Sequence, residues 1–465
     1  MSQWSIQSCD PERPQERACL RVLLVVDSMY WTIGHFAHQV TKKNPRLEAV
    51  ICSQYVIRQY TKRYRSFPLS FDLVHFLNTK TMKPFCGRLP VVTTLHHIDA
   101  STNVKYLEDC DAVMTVSGQW YQYLIDLGIS SQRLGIVPFA VDCETFHPGS
   151  RAERRHLRHE LKFAEDAFVI GFSGRRTSDN DGRKGTDCLL ESLKNMRQAY
   201  PHLATLIIGP GWEDLEGRLQ AEGIMAVHIP YQLDHYEIAR MYRALDVYWV
   251  TSRIEGGPVP LLEAMASGIP CVSTPVGAVL DIVKDQRNGF VVPFDSPDEF
   301  VRTTLTLAAN REFSLRIGQE ARATMMQERS WSQTQVRLAR LYEIAIENFR
   351  VNQSRTVLNE KDPGVEFQQV RHASWHTSGC FDDFTPKIKQ WMKACEHVRG
   401  SKMLIQLGEW RRARELVGLA LKEQPYDLNV WTQIFSMLLG NVKKKIWPRR
   451  TNHDNSSRIQ SPGGS

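Results

Sequence analysis

Two glutamates set eight positions apart, Glu255 and Glu263, sit in the run SRIEGGPVPLLEAMASGIPCVSTPVG at residues 252–277. Paired carboxylates can accept from hydroxyl groups or stand beside a carbon that gains positive charge. Upstream, FVIGFSGRRTSDNDGRKGTDCLLESL carries Arg175, Arg176, Arg183 and Lys184 among glycines. Cations beside a helix N-terminus make an anion cup, in which Arg holds a phosphate through two donors and Lys acts as a point charge. His96 and His97 close the run PVVTTLH at residues 90–96 and its next position. An imidazole there can hydrogen-bond a hydroxyl or move a proton. Two acids at the mouth of an anion site look functional.

The elements that must position these groups follow from apolar runs and punctuation. Gly256 and Gly257 permit a tight loop, Pro258 and Pro260 suit a first helical turn, and Gly268 with Pro270 ends the helix before CVST. That helix is almost wholly apolar apart from Glu263, which predicts burial between sheet strands. In the first half, Val22 to Val26 reads as a parallel strand covered on both faces, and Gly34 opens the following helix where a phosphate could approach the backbone. Strand-like runs recur at residues 49–53, 72–77, 90–96, 111–117, 168–172, 204–211, 225–230, 246–252 and 270–274. Strands alternating with helices predict an α/β protein of two facing doubly wound, Rossmann-like domains, whose ligands lie beyond the carboxyl ends of the strands.

With its glycine and proline dressing, the Glu-x7-Glu run resembles the signature of the family 4 retaining glycosyltransferases of the GT-B fold. The resemblance covers about residues 20–350. Thr94-Leu95-His96 is similar to the family's Thr-x-His, and Ser117, Leu124, Gly128, Val137, Pro138, Val141, Asp142, Phe146 and Pro148 match its run into the interdomain linker, with Phe139-Ala140 where Asn-Gly is usual. The resemblance implies a nucleotide-diphosphate sugar as donor substrate, with no further cofactor and no metal. It also implies that Glu263 binds the ribose hydroxyls, Glu255 faces the transferred sugar, the loop at Gly256 and Gly257 lies against that sugar, and Arg175 and Lys184 clamp the diphosphate. Arg176 and Arg183 are substitutes for that clamp, and His97 is the rival of His96. The base would sit near Pro230 and Tyr231. The acceptor would be a glycan, a lipid-linked or a small molecule. A nucleotide-sugar epimerase, a sugar phosphorylase or an interaction protein using its helical tail are the other readings.

A chain of 465 residues suggests two or three domains. The sequence divides into a polar leader (1–19), an acceptor-side domain (20–150), a nucleotide-sugar domain (151–330), a crossing helix (331–350), a polar linker (351–380), a helical segment (381–440) and a basic tail (441–465). In the helical segment, Gly408, Trp410, Ala413, Val417, Ala420 and Pro425 have the spacing of a tetratricopeptide helix, a surface for a protein partner or for self-association. Ten scattered cysteines without metal-ligand spacing, and a leader with no signal-peptide core, place the chain in the cytoplasm with reduced thiols. The net charge of +7 forms no long basic stripe, which argues against nucleic acid and leaves at most peripheral contact with a membrane. Asp109-Cys110-Asp111 and Asp179-Asn180-Asp181 are read as turn chemistry rather than metal ligands.

Overall fold

The computed structural model describes residues 19–29, 32–64, 70–78, 85–98, 104–177, 181–230, 234–359, 386–406 and 410–424, with isolated positions from 427 to 434. By its contacts the chain forms two units, residues 1–383 and 384–465.

The first unit contains two six-stranded parallel sheets. The first lobe runs β1 (Leu20–Val26), β2 (Leu47–Ser53), β3 (Leu73–Phe76), β4 (Val91–Leu95), β5 (Ala112–Thr115) and β6 (Leu134–Ile136), in the spatial order β2-β1-β3-β4-β5-β6. The second lobe runs β7 (Phe168–Ser173), β8 (Leu203–Ile208), β9 (Met225–Ile229), β10 (Val247–Val250), β11 (Cys271–Ser273) and β12 (Phe290–Val291), ordered β12-β11-β10-β7-β8-β9. In each sheet the strand order reverses beside the first strand of the lobe, and the crevice that opens there is where doubly wound sheets hold ligands. Strands buried on both faces need continuous apolar runs, and Val22, Leu23, Val25 and Val26 of β1 are wholly buried. The expected pair of doubly wound parallel sheets is present. Sequence reading passed over β6 and β12, because strands of three and two residues carry no measurable periodicity.

A helix from Trp331 to Asn359 leaves the second lobe and packs on β4, β5 and β6 of the first. Tyr342 on it bonds His75 Nδ1 at 3.0 Å beneath the first sheet, and Thr334 donates to the carbonyl of Pro138 at 3.1 Å. Residues 351–359, expected as linker, are therefore the last turns of this helix. Their segment VNQSRTVLN is polar but contains neither Gly nor Pro, so nothing in it stops a helix already nucleated by packing. Among the described residues no helix is long and apolar enough to cross a membrane.

In the second unit, helices Pro386–Gln406 and Trp410–Glu423 pack against one another, with Ala413, Leu416 and Ala420 buried. Gly408 and Pro425, which carried part of the repeat-like spacing, and the basic tail from 441 lie outside the described residues.

The lobes also meet through two histidines. His35, on the helix Thr32–Lys42, stacks on His235, on the helix His235–Tyr242, at 3.6 Å and 20°. Burial, then the nearness of His235 and His38, lowers His35 to about 4 against the opposing pull of Asp142, and burial lowers His235 as well despite Asp234 and Asp142. Both rings are neutral at pH 7. Because the folded values lie below the unfolded one, the stability from this contact is complete above about pH 6.5 and is lost as pH falls towards about 4. His35→Phe keeps a ring but no proton. Between pH 6.5 and 4.5 the melting temperature of the wild type should fall a few degrees further than that of His35→Phe, since ~1 kcal/mol is worth ~2–4 °C in domains of this size. Parallel decline of the two would contradict the assignment.

Candidate functional site

A cavity of about 250 Å³ lies between the lobes at the reversal point of the second sheet. Ser173, Gly174 and Arg175 reach it from the end of β7, and Thr251, Ser252 and Glu255 reach it from the end of β10. From the first lobe come Thr32 and Ile33, His96 and His97, and Phe139. Arg175, Lys184, Glu255, Gly256, Gly257 and His96, singled out from sequence, thus line one space.

Lys184 ends a short helix, Asp181–Lys184, which the strand beside it pins in place. Thr251 donates to the carbonyl of Lys184 at 3.0 Å, the amide of Arg253 donates to that of Arg183 at 2.8 Å, and the Arg253 guanidinium donates to that of Gly182 at 2.6 Å. Gly185, at φ +64°, turns the chain into the next helix, Thr186–Ala199; a β-carbon there would lie 2.1 Å from the Thr251 carbonyl. The Lys184 ammonium is 2.7 Å from Glu255 Oε1, which also accepts from Ser252 at 2.8 Å, and the two charged side chains are only 15 % and 14 % exposed. Burial by itself would raise the Glu255 carboxyl, but the charge and hydrogen bond of Lys184, with Arg183 and Ser252, outweigh it and hold Glu255 below the usual carboxylate range. Its carboxylate is held by side chains rather than by free amides at the start of the helix Val259–Ala266.

The loop cations have been apportioned. Arg176, one proposed substitute for the anion clamp, is tied to Asp181 at 2.6 Å and to Asp214, and lies over the Trp212 ring. Asp181 is thereby an ion-pair partner, while Asp179 and Asn180 lie outside the described residues. Arg183 meets His97 Nε2 at 3.2 Å. Arg175 lines the cavity as an exposed side chain. Asp111, in the other Asp-x-Asp match, accepts from the Val91 amide at 2.8 Å, at the amino end of its strand and so at the opposite edge of the sheet from His96.

His96 is oriented by the first lobe. Its Nε2 lies 2.6 Å from the carbonyl of Leu77, which can only accept, so this nitrogen carries the proton and Nδ1 keeps a lone pair. Burial lowers its basicity against the counter-effects of Leu77 and Asp27, so the ring is neutral. Phe139 stacks on it at 5.7 Å and 15°. Phe139 stands where the resembled pattern has Asn; its position directly after a matching Val-Pro was the available signal that the site has its own character here.

Two expected residues are placed apart from the cavity wall. Gly34 lies inside its helix, where a β-carbon would be 2.5 Å from the Ser28 carbonyl; its neighbours Thr32 and Ile33 line the space instead. Glu263 is buried behind the wall, and its Oε2 accepts from the Tyr242 hydroxyl at 3.0 Å. Tyr242 and Tyr248 in turn meet Ser173 Oγ at 3.3 and 2.8 Å, so Glu263 reaches the lining through a chain of hydroxyls. Residues 231–233, and with them the Tyr231 expected near a base, lie outside the described residues.

Residues 153–324 match the family model described as glycosyl transferases group 1. Over 272 residues the chain is 29 % identical to a D-inositol 3-phosphate glycosyltransferase of Geodermatophilus obscurus, which covers 54 % of this chain and 57 % of that protein. A protein of the same description from Segniliparus rotundus is 30 % identical over 191 residues, covering 39 % of this chain and 40 % of that one. The chain spans about half the length of these curated relatives. Among solved structures, Anabaena Alr3699/HepE in complex with UDP and glucose aligns with a TM-score of 0.57 at 18 % identity, over 69 % of this chain and 98 % of that one, which shows the shared GT-B fold.

The two glutamates differ in charge as well as place. Burial raises Glu263 to about 8 against the smaller opposing effect of its Tyr242 bond, so it is protonated at pH 7. A folded value above the unfolded one makes the folded state lose stability as pH rises from about 4.5 through about 8. Relative to Glu263→Gln, which cannot titrate at this position, the melting temperature of the wild type should decline by a few degrees between pH 5 and 8.5. Differential scanning of the two proteins across that range checks this.

Proposed function

We propose that this chain, whose residues 153–324 carry the glycosyl transferases group 1 match, is a retaining, metal-independent family 4 glycosyltransferase that moves a hexosyl group from a nucleotide-diphosphate donor to an acceptor on the first lobe. The observation that carries this reading is the part-buried Lys184–Glu255 pair lining one cavity with Arg175 and His96, at the reversal point of a GT-B second lobe.

The chemical difficulty is the departing diphosphate, on which negative charge grows as the glycosidic bond breaks. Arg175 and Lys184 supply positive charge at the cavity wall, and preorganised stabilisation of this kind is worth several kcal/mol. Lys184 approaches the phosphates while Glu255, still ionised, turns to the transferred sugar as its positive charge develops. His96, as a neutral acceptor at Nδ1, receives a hydroxyl of that sugar or of the acceptor. The loop at Gly256 and Gly257 lies against the transferred sugar. Glu263 serves the ribose hydroxyls, exchanging its Tyr242 contact for them. No side chain is assigned as a covalent nucleophile; the diphosphate itself takes the acceptor proton on the face it vacates.

Nucleoside diphosphates should therefore raise the melting temperature of the wild type, because a ligand that prefers the folded state stabilises it. Lys184→Ala should weaken that shift, while Glu255→Ala should keep it. Either substitution should cut sugar transfer by at least about 10²-fold, the scale of losing one preorganised electrostatic group. A panel of nucleoside diphosphates that moves neither wild type nor variants would end the proposal.

A further inference from the structure

A second space, about 680 Å³ and open to solvent, lies beside the first and shares no lining residue with it. One wall is the helix Gly118–Asp126, with Gln119, Trp120, Gln122, Tyr123 and Asp126; Ile98 of the first lobe and Ile254 and Leu280 of the second complete it. The two spaces adjoin at a seam of consecutive residues. His97 and Glu255 face the first, while their chain neighbours Ile98 and Ile254 face the second. The Trp120 indole crosses the same seam, donating to the Glu255 carbonyl at 2.8 Å.

The lining has a particular chemistry. Tyr123 is 42 % exposed and Leu280 50 %, giving flat and apolar surface at the mouth. Gln122 donates to Asp126 Oδ1 at 2.9 Å, which fixes the pair and leaves the amide carbonyl and the second carboxylate oxygen as acceptors. A pyranose offers the complement, an apolar C–H face and a rim of O–H donors. Among the described residues that line this groove there is no cation, and Asp126 would repel a phosphate. We propose that the groove binds a neutral glycosyl unit of the acceptor, stacked on Tyr123 and hydrogen-bonded by Gln122 and Asp126. This rests on the glycosyltransferase reading and narrows it, favouring an uncharged sugar acceptor over the phosphorylated polyol in the relatives' names.

The test uses the intact chain and ligand-observed NMR titration with methyl α- and β-glycosides of glucose, galactose, mannose and N-acetylglucosamine, beside inositol 3-phosphate and octyl glucoside. At least one methyl glycoside should bind the wild type more tightly than inositol 3-phosphate does. Tyr123→Ala should weaken it about tenfold, a loss of about 1.4 kcal/mol, and Tyr123→Phe should restore it. Nucleoside diphosphates should stabilise wild type and Tyr123→Ala equally. No methyl glycoside bound, unchanged affinity in Tyr123→Ala, preference for inositol 3-phosphate, or binding of octyl glucoside alone would each overturn the assignment. Failure of every nucleoside diphosphate to stabilise the chain removes the transferase reading instead, and is read separately from the glycoside titration.

Discussion

The backbone of Gly256 lies so close to the first lobe that a β-carbon on it would sit 2.1 Å from the His96 carbonyl. No side chain fits between the lobes there. Gly277 is pressed equally hard against the Gly256 carbonyl from the other side, and the Ala278 amide donates to that carbonyl at 2.8 Å. From this stack of bare backbone the rest of the cleft takes its dimensions. Glu255 lines one cavity with His96, Trp120 reaches the Glu255 carbonyl, and the amide of Gly118, opening its helix, donates to Asp281 at 2.9 Å. Gln119 completes the clasp by accepting from the Gly277 amide. Each contact joins one lobe to the other, so the glycines set how closely the halves of the site approach.

Within that frame, environment gives two similar side chains different charge states. Glu255 has a cation at hydrogen-bond distance and a hydroxyl on the same oxygen, so its ionised form survives burial. Glu263 lies on an apolar helix with one phenol for company, so its neutral form is favoured. Desolvating a pair such as Lys184–Glu255 is costly, and its attraction is weak evidence for stability. It does leave both groups fixed and charged at the cavity wall. Under the proposed function, a diphosphate would meet an ammonium that is already oriented and would exchange one anionic partner for another.

The alternation of apolar runs and glycine-marked loops made ten of the strands and both lobes legible in the sequence, because strands buried on both faces have little choice of composition. Glu255, the 174–185 loop and His96 could be grouped for a different reason. Each follows closely on the end of a strand, where the topology forces convergence. What stayed hidden depends on contacts far apart in the chain. Nothing local to Trp120 or Asp281 announces that they bridge the lobes, and Glu263 reads the same whether its carboxyl lines a cavity or lies one phenol behind it.

The loop at 174–185 shows the limit most sharply. Its composition announces four cations suited to an anion, yet composition cannot apportion them. Asp181, from the same loop, and Asp214, some thirty residues on, take Arg176, and Trp212 lies under its guanidinium. His97, from the other lobe, meets Arg183. Lys184 goes to Glu255 because Thr251 and Arg253, at the end of a neighbouring strand, hold the short helix in one orientation. Selection of a cation for the cavity is therefore a property of the sheet order. β10 lies beside β7 only because the sheet reverses there, and that adjacency brings the loop after one strand under the acid that follows the other.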